Sequence, residues 1–403
     1  MKRAFNIRCL HLNSEEDAIE ILRRVGVDPY GLTSMLPKME HLNIHIEALP
    51  CRTANIIKQE MLSVGGDAAV SRDSVACAED VTEVVIMGTV KQLRKFSEKI
   101  LNQAFGLHTL AETIEEALNN ISRKSHELKM SHRKIMVGDR PLLMGIINVT
   151  PDSFSDGGQF SSLDDAYRFG CGLVEDGADI LDIGGESSRP GAEPVSVQEE
   201  LRRVIPVVEK IAGAVSVPIS VDTCKAEVAR QALQSGAEIV NDISAMRYDP
   251  GMADVIAQAK AAVVIMHMRG TPRTMQQGEL SYGSLRGEIL SFLTERCEAA
   301  TSSGIANEYL IVDPGIGFGK TAEDNLRIIK YLSEFKVLGR PILIGPSRKA
   351  FIATITGGPP SKREEGTASA IAAAVLNGAN ILRVHHVLKM KKVAAMANAI
   401  LRA

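Results

Sequence analysis

The chain has 403 residues, 46 Lys and Arg against 49 Asp and Glu, a formal net charge of −3, and 45% apolar residues. That balance suits a globular protein with a substantial core and argues against a nucleic-acid partner or a membrane surface. No apolar run approaches the roughly 20 residues of a membrane helix, and the N-terminus does not read as a secretory signal. Six scattered cysteines without a C-x-x-C make structural zinc and disulfides poor expectations, and reduced thiols in a cytoplasmic location the simple one.

In chain order, Phe5 to Leu12 alternates as a strand does, and Ser14 is placed to cap a helix over Glu15 to Val25, with Asp17 at its third position. Leu42 to Ala48 alternates again, with Leu42, Ile44, Ile46 and Ala48 on one face. A helical pattern runs from Thr53 to Val64 and stops at Gly65-Gly66. Glu83 to Gly88 reads as a strand, and Val90 to Ile121 holds one or two helices. Mixed strands and helices predict a small α+β domain over residues 1–132, closing with a polar, basic run (119–134) that reads as a solvated helix end or linker.

After residue 140 the rhythm changes. Eight apolar runs alternate with helical patterns: Leu142–Asn148, Ile180–Gly184, Ile219–Val221, Ile239–Asp242, Ala262–His267, Leu310–Asp313, Ile342–Gly345 and Ile381–Val384. Runs unbroken by polar alternation suit parallel strands buried on both faces. Eight β/α units over residues 133–403 predict a (β/α)8 TIM barrel, with a doubly wound open sheet as the competitor.

The strand ends favour the barrel, because that fold builds its sites there. They carry Asn148, Asp182 and Glu186, Asp222, Asn241 and Asp242, His267, Asp313, Ser347 and Lys349, then Arg383 and His385. Asp182 lies inside its run, where a buried carboxylate holding loop backbone is the plainer reading. Two loops, Thr150–Gly158 and Gly184–Ala192, have the small, polar composition of active-site lids. An arginine among backbone N–H groups, as Arg189 is, suits a phosphate or carboxylate.

Met144–Gly158 (MGIINVTPDSFSDGG) and Asp182–Ala192 (DIGGESSRPGA) resemble the two signature segments of dihydropteroate synthases. The resemblance continues through VDT (Val221–Thr223), ND (Asn241–Asp242), MHM (Met266–Met268), DPGIGFGK (Asp313–Lys320), SRK (Ser347–Lys349) and RVH (Arg383–His385), over about residues 135 to 403 at barrel spacing. It implies a transferase of folate biosynthesis, and a sulfonamide target, that joins a dihydropterin pyrophosphate to p-aminobenzoate.

By that resemblance Asp313 clamps the pterin edge, with Asn241, Asp222 and Lys349 beside it. The pyrophosphate needs cations, and Arg383 and His385, on alternate positions of the last strand, point to the same face and are expected to meet it together. Asn148 matches a position near a magnesium ion. Phe154 and Pro190 sandwich the benzene ring, with Phe318 nearby and Ser188 and Arg189 shaping the pocket. Lys349, Asp222, Arg383 and His385 are the expected catalytic set, and a homodimer is expected.

Three positions depart from the commonest pattern: Ser188 stands where threonine is usual, Ala350 where serine is frequent, and His386 where aspartate often follows the histidine. The string GIGFGKT is no P-loop, since Pro314 replaces a required glycine. The rivals are a pterin-dependent methyltransferase, which needs neither the anion loops nor the Ser-Arg-Lys segment, and a non-catalytic pterin-binding protein. The N-terminal domain shows no catalytic signature, and a role in assembly, stability or regulation is expected of it.

Overall fold

The computed structural model describes residues 6–10, 12, 14–76, 78–149, 162–189, 191–278 and 280–403. The chain forms two compact units, Met1–Ser122 and Arg123–Ala403.

In the first unit the helix Glu15–Val25 starts where its chemistry dictates. Ser14 Oγ accepts from the Asp17 N–H, the Asp17 carboxylate accepts from the Ser14 N–H, both at 3.1 Å, and Gly26 ends the helix at φ 90°. A second helix, Pro29–Met39, is capped by Asp28 and opens on proline, whose missing N–H costs nothing there. Strands β1 (His41–Pro50), β2 (Asp67–Val70) and β3 (Val81–Thr89) form an antiparallel sheet in the order β1-β3-β2. The helices Cys51–Ser63, Val90–Ile100 and Leu107–Ser122 share its core through Ile57, Met61, Ile86, Phe96 and Ile114.

Two expectations are corrected here. Residues 6–10 form no strand: they are irregular and exposed, Ile7 at 87%, so their alternation meets no partner. In β1 the register shifts between Ile46 and Leu49, where Ala48 adopts φ 54° and faces solvent, so that Leu49 takes the inward place expected for Ala48.

The second unit opens with a hairpin, β4 (His126–Lys129) and β5 (Lys134–Val137), whose first strand and turn lie inside the run read as a solvated linker. It buries Leu128, Met130 and Val137 against Leu142, Met144, Ile180, Ile239, Val264, Ile311, Leu343 and Ile381, the early residues of the strands that follow. The hairpin is therefore the floor of the barrel, and the unit begins ahead of residue 133.

All eight apolar runs become parallel strands: β6 (Leu142–Asn148), β7 (Ile180–Gly184), β8 (Ile219–Asp222), β9 (Ile239–Asp242), β10 (Ala262–Met266), β11 (Leu310–Asp313), β12 (Leu343–Ile344) and β13 (Ile381–Val384). They lie in the order β11-β10-β9-β8-β7-β6-β13-β12, and a parallel bridge between Val312 and Ile342 joins the two ends. The chain thus comprises a TIM-like α/β barrel and an α+β unit.

Side chains alternate along each strand. Leu181, Val221, Val240, Ile265, Val312 and Leu382 face outward to the helices, in one large apolar cluster. The alternate positions turn inward, apolar near the floor and polar toward the mouth, where Asp182, Asp222, Asn241, Asp313 and Arg383 collect.

Candidate active site

Period-two alternation brings residues far apart in the chain into one polar layer. Asp182, fully buried in β7, accepts Arg383 Nε on Oδ2 at 2.6 Å and Asn241 Nδ2 on the same oxygen at 3.1 Å. Arg383 Nη2 donates to Asp222 Oδ2 at 2.7 Å. Asp182 thus holds side chains of β9 and β13, which corrects its reading as an anchor of loop backbone. Its Oδ1 is buried without a hydrogen-bond partner among the described residues. Burial pushes the Asp222 carboxyl up to about 7, against the pull of Arg383 and with a push from Asp182.

The second cluster forms where β11 and β12 end. Asp313 accepts the Gly315 N–H at 2.7 Å, and burial raises its pKa while Lys349 opposes the rise. Gly315 has φ 74°, and a Cβ there would sit 1.9 Å from the carbonyl oxygen of His267, so only glycine lets this turn close. The Lys349 ammonium donates to the Ile316 carbonyl and lies 4.3 Å above the Phe318 ring. Burial lowers the Lys349 pKa to about 8, with Asp313 holding it up.

His385 differs from its expectation as a second cation. Burial, with Arg383, Arg348, Arg189 and Lys349 around it, drives its pKa down to about 3, so the ring is neutral. Ser347 Oγ accepts the His385 backbone N–H at 3.3 Å and lies 3.0 Å from ring Nδ1; with the hydroxyl donating to Nδ1, the ring proton sits on Nε2, where it can be given to a ligand. Arg383 is likewise committed to two carboxylates, and its charge is already shared.

Asp242 accepts the N–H groups of Ser244 and Met246 at 2.7 and 2.8 Å and is a loop anchor. Lys320 was passed over inside a decoy string. Its buried ammonium donates to His267 Nδ1 at 2.8 Å and to the Phe318 carbonyl at 3.1 Å, and so ties the end of β10 to the loop carrying Phe318. Burial drives Lys320 down to about 7 and His267 down to about 2.

On the loop after β7, Ser188 is half-buried and Arg189 exposed, the latter with no hydrogen bond or ion pair for its guanidinium among the described residues. Phe154 and Pro190 lie outside the described residues. Phe318 is buried beside Met266 and Met268. Ala350 is exposed at the start of a short helix, and His386 turns to Glu364, 3.9 Å away. Asn148, at the end of β6, is half-buried, and its amide makes no hydrogen bond among the described residues.

The profile of the pterin binding enzyme family matches residues 144–385. The dihydropteroate synthase of Synechocystis sp. is 48% identical over 266 residues, 66% of this chain and 92% of that protein. The probable bifunctional folylpolyglutamate synthase/dihydropteroate synthase of Halobacterium salinarum is 38% identical over 379 residues, 93% of this chain but 45% of that protein. Among solved structures, Xanthomonas albilineans dihydropteroate synthase with 4-aminobenzoic acid superposes with a TM-score of 0.64 at 43% identity, covering 69% of this chain and 99% of that one.

Proposed function

This chain belongs to the dihydropteroate synthase family of pterin-binding enzymes, and from that premise we propose how its residues join 6-hydroxymethyl-7,8-dihydropterin pyrophosphate to p-aminobenzoate. The activity is that of a transferase. The amine nitrogen forms a bond to the pterin methylene carbon, the carbon–oxygen bond to pyrophosphate breaks with its electron pair leaving on oxygen, and the amine gives up a proton. The products are 7,8-dihydropteroate and pyrophosphate.

A carboxylate accepts two N–H groups at once, and Asp313 at the mouth meets the pterin's donor edge in that way. Asn241 and Asp222 complete the edge, and Lys349 donates to ring acceptors while its charge offsets Asp313. Electron release from the reduced ring favours a dissociative displacement, so positioning and charge stabilisation of the leaving group are the main catalytic contributions. Arg383 supplies charge toward the pyrophosphate, and neutral His385 a hydrogen bond. Phe318, Ser188 and Arg189, with Phe154 and Pro190, receive the aromatic amine.

Magnesium fits the residues present. Mg²⁺ takes oxygen donors and keeps several waters. The Asn148 amide oxygen and Asp182 Oδ1 on the neighbouring strand, neither with a hydrogen-bond partner among the described residues, are such donors, and the ligand's phosphates would supply others. When bound, the ion stabilises negative charge on the departing oxygen.

We also propose a cytoplasmic homodimer. Leu376, Leu388, Met396, Ile400 and Leu401, on the last two helices, are 41 to 63% exposed, a supply of apolar surface that a second copy would cover. No helix among the described residues is long and apolar enough to cross a membrane. For the N-terminal unit we propose a part in assembly, stability or regulation. In support, the match to the Halobacterium protein spans 93% of this chain and so extends well into that unit.

The observation that carries the reading is the polar layer of Asp182, Asn241, Asp222 and Arg383 beside the Asp313 and Lys349 pair. The test is pyrophosphate release from the pterin substrate with Mg²⁺, with and without p-aminobenzoate. Release that requires the amine, yields dihydropteroate and collapses in Lys349→Ala is expected. Pterin binding without amine-dependent turnover would favour the methyltransferase or binding-protein reading.

A further inference from the structure

We propose that Glu186, held by Lys225, is a positioning residue that sets the loop receiving the aromatic amine, an inference that rests on the transferase reading above. The loop leaves β7 at Gly184 and ends at the helix Val197–Ala212. Glu186 stands two residues ahead of Ser188 and works in two directions. Its Oε1 accepts the Val195 N–H at 3.4 Å and so joins the two stems of the loop. Its Oε2 accepts the ammonium of Lys225, three residues beyond Asp222.

That ammonium has a second carboxylate, Glu200, fully buried in the first turn of the helix that follows the loop. One residue before Glu186, the Gly185 carbonyl accepts Arg203 Nη1 at 2.9 Å. The stem is therefore fastened at consecutive residues. The tip is held more lightly: among the described residues the Arg189 N–H meets Ser187 Oγ at 3.4 Å, the Arg189 carbonyl accepts the Ala192 N–H at 3.1 Å, and the Gly191 N–H donates to the Pro272 carbonyl at 3.3 Å, with no ion pair from Ser187 to Arg189.

A stem fastened by ion pairs and a tip held by a few hydrogen bonds divide the work. Glu186 limits the directions from which Ser188 and Arg189 approach the site, and Lys225 refers that limit to the stretch of chain that carries Asp222. The amine then meets a loop already aimed at the pterin's partner side, and less ordering entropy is lost when it binds. Pterin contacts from Asp313 and Asn241 do not pass through Glu186.

Glu186→Gln isolates the effect. It removes the charge that holds Lys225 to the loop and leaves the buried Lys225–Glu200 pair in place. The Glu186 side chain is 31% exposed, so the fold is preserved. Steady-state rates of pyrophosphate release give the KM of each substrate, and hydrogen exchange reads the Val195 amide directly. The expected result is an amine KM raised about tenfold, with the pterin KM and melting temperature unchanged and exchange at Val195 accelerated. Lys225→Arg, which keeps both ion pairs, should stay within about twofold of wild type.

An unchanged amine KM in Glu186→Gln, or equal rises for both substrates, overturns the proposal while the transferase reading stands. A wild-type chain without amine-dependent turnover removes that reading and the proposal with it.

Discussion

Arg383 and Asp182 face each other across the barrel interior with Nε 2.6 Å from Oδ2, although 201 residues separate them in the chain. Asp182 is fully buried, and breaking such a pair leaves a charge without compensation, at a cost of about 3–5 kcal/mol. Asp182→Asn should lower the unfolding free energy by about 3 kcal/mol in urea titrations. It should also reduce kcat by about a hundredfold as Arg383 and Asn241 shift. A variant with wild-type stability and turnover would mean that Asp222 alone suffices to hold Arg383.

The pH dependence follows from two buried groups. The Asp222 carboxyl, near 7, is neutral below that pH and loses its capacity to accept two N–H groups, so kcat/KM for the pterin rises through about 7. The Lys349 ammonium, near 8, loses its proton above that pH, so kcat/KM falls through about 8. A narrow bell is expected for the wild type. Asp222→Asn should erase the acidic limb at reduced activity. Lys349→Arg should move the alkaline limb out of range, since a guanidinium stays charged.

Gly315 and Gly304 offer a controlled comparison. Both have positive φ, 74° and 88°, but a Cβ on Gly304 meets nothing within 4 Å, whereas one on Gly315 lies 1.9 Å from a backbone carbonyl. Gly304→Ala should lose about 1 kcal/mol from backbone strain and bind pterin normally. Gly315→Ala should lose more than that, about 2–3 kcal/mol, and weaken pterin binding, because the Gly315 N–H orients Asp313. Urea midpoints and pterin fluorescence titrations separate the two effects.

The barrel was legible because its strands are short apolar runs ending in polar groups, and each expected run formed a strand. Where the reading failed, the missing information was three-dimensional. Asp182 looked like a loop anchor since its partners, Arg383 and Asn241, are distant in sequence. Lys320 was hidden because nothing local says that an ammonium will be sealed against His267. His385 reads as a cation until Arg383, Arg348, Arg189 and Lys349 are gathered around it. Residues 6–10 alternate as a strand does, but a strand also needs a neighbour. The hairpin was lost in a basic run because it shows too few apolar residues to break the impression of a linker.

That hairpin yields the last prediction. A barrel begun at residue 133, the boundary the sequence suggests, lacks Leu128 and Met130, which are 0% and 4% exposed against the first residues of the barrel strands. Removing either side chain from a packed core costs about 2–5 kcal/mol. The ion pair of Lys129 with Glu308 adds little, because both side chains are more than a third exposed. A chain begun at Arg123 keeps the whole floor. It should be more stable than the shorter one by at least about 4 kcal/mol in urea titrations, and should retain turnover. The chain begun at 133 should bind a hydrophobic dye through its opened floor and aggregate on warming. Equal stability of the two truncations would show that the barrel closes its own lower end, with Leu142, Met144 and Ile180 repacking to fill the space.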